Sequence, residues 1–263
     1  MLLDNKIQKC LKGCLSKSKK SILYKENKHL YKIFADTSFL EEKERNIEYM
    51  INNNIPNVPK YYGKIKNIGG KIIGFKMEYI DNSYTFREAI NYDIPIENKI
   101  NAINDIYKAI ETLHKANIYI GDIHLDNILI KDGETGYIID LDEVRFPGDE
   151  WKFRQKYVIK KTNESYKTVI PNKYTDNIKL MISSLSLLLN EDLENFIDKK
   201  GHYINLELLQ KYIKDLPDND LNKFLKSKVP EFLKQADEIY FESILNEFEY
   251  KEKTKRLVKK NVT

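Results

Sequence analysis

The pattern of apolar residues changes character near residue 83, and no other feature limits the possible folds as much. Before that point the chain reads as strands interrupted by one helix; beyond it the reading is mostly helical. Ser21 to Phe34 (SILYKENKHLYKIF) sets two apolar stretches around the polar turn KENK, a hairpin signal. Thr37 or Ser38 is placed to cap a helix whose first turn holds Glu41 and Glu42. Its apolar stripe runs through Ile47, Met50 and Ile51, and the helix, expected from about Ser38 to Asn52, dies in NNNIPNVP. YYGKIKNIGGKIIGFKMEYI then reads as two more strands turning at Gly69-Gly70. The expected fold class is α+β. A small, five-stranded antiparallel sheet with one helix takes residues 1–80, a larger and mainly helical part takes 81–263, and the seam lies at Glu78 to Ser83.

In the second part, Ile100, Ile103, Ile106, Ile110 and Leu113 recur at gaps of three and four, which is one buried helix face. A compact run of strands and turns follows from Ile118 to Phe146. Residues 147–174 are polar, basic and poorly periodic, with Lys152, Arg154, Lys156, Lys160 and Lys161. The apolar LMISSLSLLL then begins behind Thr175-Asp176, read as a helix cap.

Composition removes several classes of function. Forty-four Lys and Arg against forty Asp and Glu leave a net charge of +4 over 263 residues, so no nucleic-acid partner is expected. No apolar run reaches the roughly 18 residues of a spanning helix, so no membrane span is expected. The opening MLLDNKIQKCLKG lacks the apolar core of a signal peptide, which predicts a cytoplasmic protein. Cys10 and Cys14 are then read as reduced, and with four histidines they are too few for a zinc centre.

The stretch that carries chemistry is IYIGDIHLDNILIKDGETGYIIDLDEVRF, residues 118–146. Asp122 and Asn127 stand five apart in a loop that precedes Ile128-Leu129-Ile130. Asp-Gly inside KDGETG predicts a hairpin between ILI and YII, which returns Asp140 to the side of Asn127. Short oxygen-bearing side chains suit Mg²⁺, a cation usually held by one or two carboxylates together with substrate phosphates.

These residues resemble the catalytic core of the protein-kinase-like superfamily, whose motif is Asp-x-x-x-x-Asn followed by a metal-binding Asp after a β-hairpin. The resemblance covers nearly the whole chain and implies a bilobal fold that binds ATP and Mg²⁺ between its lobes. It implies Asp122 as the catalytic group that orients or deprotonates the incoming hydroxyl, and Asn127 and Asp140 as metal ligands. Lys32 in HLYKIF would neutralise the α and β phosphates, steadied by Glu44, with Glu48 on the same general face. The adenine would lie against backbone at Glu78, Tyr79 and Ile80, with Asp81 near the ribose and Gly13 in a thin glycine loop. Asp176 looks like the aspartate that holds the catalytic loop from beneath.

Several positions depart from the protein-kinase pattern. Ile120-Gly121-Asp122 replaces His-Arg-Asp, and Gly121 with His124 matches the small-molecule branch typified by aminoglycoside and choline phosphotransferases. Asp140-Leu141-Asp142 replaces Asp-Phe-Gly, leaving Asp142 either a second metal contact or a solvated loop acid. No Ala-Pro-Glu is present, although Pro171 stands near its place. Three functions follow as expectations: a kinase acting on Ser or Thr of a protein, with the basic 147–174 segment favouring an acidic one; a small-molecule kinase acting on a hydroxylated substrate, of the aminoglycoside, choline or sugar-lipid type; and a kinase-fold binding module without activity.

Overall fold

The computed structural model describes residues 14–18, 21–35, 40–149, 157–162, 165–169, 172–196, 203–236, 240–241 and 243–250. Its first five strands are β1 (Cys14–Lys17), β2 (Ser21–Glu26), β3 (His29–Phe34), β4 (Tyr61–Lys66) and β5 (Ile72–Glu78). They form one antiparallel sheet in the order β1-β2-β3-β5-β4; the sequence predicts five strands, and the apolar stretches mark four of them, β2 to β5, while β1 is exposed throughout. The β2–β3 hairpin turns at Asn27, whose backbone is left-handed, and pairs Ser21 with Phe34 through to Glu26 with His29.

Between β3 and β4 runs the helix α1 (Leu40–Asn52), packed against β4 and β5. Ile47 and Met50 of α1 join Phe34, Tyr61, Phe75 and Met77 of the sheet in the core. Thr37 and Ser38, the expected caps, lie outside the described residues. Strands β3 and β5 come so close that a Cβ at Gly74 would collide with the backbone oxygen of Lys32.

The rest of the chain is richer in helix. Strand β6 (Ser83–Thr85) leads into the short helix α2 (Phe86–Ala89), closed by a reciprocal cap between Thr85 and Glu88. Helix α3 (Ile96–Lys115) buries Ile100, Ile103, Ile106, Ile110 and Leu113, the stripe read from the sequence. It ends on the left-handed Asn117, with the Ile118 amide donating to Leu113 O at 3.0 Å. Strands β7 (Ile128–Lys131) and β8 (Thr135–Ile138) form the expected hairpin, and β6 adds to β7 as a third, unforeseen strand. Its backbone at Asp132 and Gly133 has positive φ at both positions, which is what Asp-Gly turns supply.

Two expectations are corrected beyond this point. The 147–174 segment, read as poorly periodic, contains β9 (Tyr157–Thr162) and β10 (Ser165–Val169), an antiparallel pair. A distant strand, β11 (Tyr203–Asn205), adds to β9 in parallel, so partners from outside the segment complete a sheet its own pattern does not announce. The cap of α4 (Lys173–Leu189) is Asn172 rather than Thr175-Asp176: Asn172 Oδ1 accepts from the Thr175 amide at 3.1 Å. Helices α5 (Leu206–Asp215) and α6 (Asp220–Gln235) follow, and 243–250 is helical. The fold is therefore mixed α and β, with a small antiparallel sheet carrying α1 and a second part dominated by helices. Buried side chains form one cluster that runs from Phe34 to Phe248. Among the described residues no helix is long and apolar enough to cross a membrane.

Candidate functional site

The β7–β8 hairpin sets the spacing of the site. At its open end the Ile139 amide donates to Asn127 O at 2.9 Å, so Asp140, one residue on, stands beside Asn127. Asp140 holds a left-handed backbone, with φ of 63°, an uncommon state for an aspartate. The Asn127 side chain turns back into its own loop, where Nδ2 donates to Asp122 O at 3.0 Å. His124 Nδ1 accepts from the Asp126 amide at 3.3 Å, and Asn127 N donates to His124 O at 2.9 Å. His124 is thus a hydrogen-bonded loop residue, and its Nε2 lies 3.9 Å from Asp122 Oδ1. The Asp122 carboxylate projects from this closed loop and is 54% exposed.

The backbone just ahead of Asp122 is gripped from α4. Asp176, 0% exposed, accepts from the Ile120 amide at 2.8 Å through Oδ2 and from the Gly121 amide at 2.9 Å through Oδ1. His114 Nε2 lies 3.1 Å from the same Oδ2. One turn further along α4, the buried Lys179 donates to Gly121 O at 3.0 Å. Both edges of this stretch are therefore held by charged groups, and bonds of that kind are about twice as strong as neutral ones. On the other flank, Arg87 of α2 pairs with Asp126 at 2.8 Å, with Asp192 and with Glu194, while Glu194 Oε1 accepts from the Leu125 amide at 2.6 Å.

Lys32, buried on β3, forms an ion pair with Asp140 and another with Asp142 Oδ1 at 2.5 Å. Burial pulls the Lys32 ammonium down, but Asp142 and then Asp140 overcome it and raise its pKa above the ordinary lysine value. Asp142 is 1% exposed, and its Oδ2 lies 3.3 Å from Lys43 Nζ of α1. Desolvation pushes Asp142 up; the Lys32 ammonium, together with that of Lys43, outweighs it and holds its pKa below the usual carboxylate range. Tyr61 lies next to this group, and burial together with Asp142 and Asp140 keeps its phenol protonated well above its normal pKa. Asp142 is thus neither solvated nor directed at solvent.

Glu44 does not meet Lys32. Its carboxylate binds Lys64 of β4 at 2.6 Å, and Glu48 pairs with the same lysine. The physical reason is the rotation of α1. Ile51, read as part of the inward stripe, is 39% exposed, and the true stripe is Lys43, Asn46, Ile47 and Met50. A lysine four residues before Ile47 on an apolar face was the signal available in the sequence. Asn46, Arg87, Lys179 and Tyr61 stand in no recognisable motif, and His114 lies in the run ETLHKANIYIGD, which resembles the superfamily's passage into the catalytic loop without marking the histidine itself.

The Glu78 amide donates to Lys60 O at 2.7 Å and the Tyr79 amide to Lys28 O at 3.0 Å, so both are engaged within the small sheet. The Tyr79 ring lies 3.7 Å from Lys25 Nζ, Ile80 is buried, and Asp81 stands 4.0 Å from Lys131 Nζ. Gly13, Pro171, Lys152, Arg154 and Lys156 lie outside the described residues. A polar hollow of about 450 Å³ lined by Asn104, Asp105, Lys108 and Glu134 shares none of the residues above.

Asn127 and Asp140, brought near each other by the Ile139–Asn127 backbone bond, each carry a hard oxygen, the donor type that suits Mg²⁺ when phosphate oxygens complete its shell. Among the described residues no group of three or more His, Cys, Asp or Glu is arranged to hold a metal without such help. No protein-family model matches the chain, and no curated protein matches it.

Proposed function

We propose that this chain is an ATP-dependent phosphotransferase of the protein-kinase-like superfamily, with the nucleotide between the small sheet and the helical part. The observation that carries the proposal is the meeting of Lys32, from β3, with Asp140 beside Asn127, 108 positions further along the chain. A cation from one part and oxygen donors from the other converge where a triphosphate needs both. The resemblance of residues 118–146, and of Lys32 in HLYKIF, to that superfamily gives the same roles to these side chains.

Phosphoryl transfer asks little covalent work of a protein, so positioning and electrostatics dominate. Lys32 contributes positive charge against the α and β phosphates. Asn127 and Asp140 would hold Mg²⁺, which would supply positive charge against the phosphates. Asp122, exposed on its loop, orients the acceptor hydroxyl and takes its proton. Asp176 and Lys179 keep the Gly121 peptide fixed, so the Asp122 carboxylate starts from a set position rather than searching for one.

The favoured acceptor is a Ser or Thr of a protein. A second reading, transfer to a small hydroxylated molecule that carries an amine, is favoured by the charge beside Asp122. There Arg87 is shared by Asp126, Asp192 and Glu194. Incubation with γ-labelled ATP and Mg²⁺ tests both, using acidic and basic protein substrates beside a panel of amino alcohols. Labelled product that disappears in Asp122→Asn supports the proposal. No transfer to any acceptor, with no binding of Mg·ATP, refutes it.

A further inference from the structure

Four nearly consecutive residues of α1 tie that helix to one segment of the helical part. Glu42 pairs with Arg145 at 2.6 Å and Lys43 with Asp142 at 3.3 Å. Arg45 binds both oxygens of Asp149 at 2.7 Å. The buried Asn46 donates through Nδ2 to Asp142 O and to Val144 O, each at 2.9 Å. The helix and residues 142–149 are therefore joined by four side chains, and Asp142 is the member of that group that touches Lys32. Of the four glutamates on α1, Glu44 and Glu48 are turned to Lys64 and Glu42 to Arg145, so the acid that meets Lys32 from this side is Asp142.

We infer that Asp142, anchored by Lys43 and Asn46, is the positioning residue for Lys32 in phosphate binding, in place of a glutamate on α1. The inference rests on the phosphotransferase reading above. The division of labour between the two aspartates follows from burial. Asp140 stands beside Asn127, where an arriving cation and phosphates would engage it, and its hold on Lys32 then weakens. Asp142, enclosed and facing two ammonium groups, keeps its contact, so Lys32 remains aimed while its other donors turn to phosphate oxygens. Lys43 offsets the second half of the Asp142 charge, without which a carboxylate enclosed to this degree would be costly.

Two measurements test this, one of them independent of activity. In a double-variant cycle followed by urea unfolding, Lys32→Met and Asp142→Asn should be strongly non-additive, the double variant being no less stable than Lys32→Met alone. Lys32→Met and Glu44→Gln should simply add. In steady-state assays, Asp142→Asn and Lys43→Met should raise the KM for Mg·ATP by about tenfold with a much smaller change in kcat, Lys43→Arg should restore it, and Glu44→Gln should stay within about twofold of wild type. If Asp142→Asn does not fold, Lys43→Met, which keeps both carboxylates, carries the comparison. Additivity of Lys32 with Asp142, or an unchanged KM in a folded Asp142→Asn or Lys43→Met, overturns the inference. If Lys32→Met itself binds Mg·ATP as wild type does, the phosphotransferase reading is what fails, while the unfolding cycle still decides whether Asp142 holds Lys32.

Discussion

Lys32 and Asp140 form an ion pair across 108 positions of sequence, joining the third strand of the small sheet to the second residue beyond the β7–β8 hairpin. Removing the charge of Asp140 should separate cation binding from the rest of the site. Asp140→Asn is expected to weaken ATP affinity by about tenfold at saturating Mg²⁺, the scale of one lost charged contact. It should also raise the Mg²⁺ concentration needed for half-maximal binding. Calorimetric titration of ATP at several Mg²⁺ concentrations checks this, and a wild-type Mg²⁺ dependence in the variant would remove Asp140 from the metal site.

Asp122→Asn should show the opposite split. Affinity for Mg·ATP stays near wild type, while kcat falls by about 10²-fold or more, as expected for loss of a group that accepts a proton in the transition state. Parallel binding and turnover measurements read the two effects. Turnover at the wild-type rate would be incompatible with the role given to Asp122.

The grip of Asp176 on the loop is testable through stability. Asp176→Ala strands the Ile120 and Gly121 amides in a dry interior, at about 1–3 kcal/mol for each unpaired donor. Asp176→Asn keeps one acceptor and should cost about half as much. Denaturant unfolding gives the ranking wild type, Asn, Ala. Equal stability of all three would mean that water reaches these amides.

Gly74→Ala tests the close approach of β3 and β5. The added methyl meets the backbone oxygen of Lys32, so the strand must shift, at a cost of about 1–3 kcal/mol typical of overpacking. Because the shifted residue is Lys32, ATP affinity should fall along with stability. A variant that loses stability but binds ATP normally would show that the strand yields without moving the lysine.

Much of this arrangement was readable in the sequence because it rests on local rules. The α3 stripe, the Asp-Gly hairpin and strands β2 to β5 follow from spacing and turn chemistry, and the hairpin suffices to bring Asp140 to Asn127. What could not be read is decided by tertiary contact. A helix face is wide enough that Glu44 and Lys43, adjacent in sequence, both look inward, and only packing against β4 and β5 settles which one does. Asn172 outcompetes Thr175 as the cap because the reciprocal bond between them fixes which residue lies outside the helix. Strands β9 and β10 draw part of their support from β11, some forty positions away on the chain.

The left-handed asparagines have a bearing on how the two parts of the molecule stay in register. Asn27, Asn57, Asn82, Asn117 and Asn190 reverse the chain where glycine would do so with less steric cost. An asparagine has fewer backbone states to lose on folding than a glycine, so the strain is partly offset in the denatured ensemble. At Asn57 the choice does more than bend the chain. Its backbone oxygen accepts from Ile138 at 3.0 Å and its side chain donates to Gly136 O at 3.1 Å, lashing the connection after α1 to strand β8. Asn57→Gly would relax the turn and cut one of those lashings in the same stroke, loosening the tie between the connection after α1 and the hairpin that leads to Asp140.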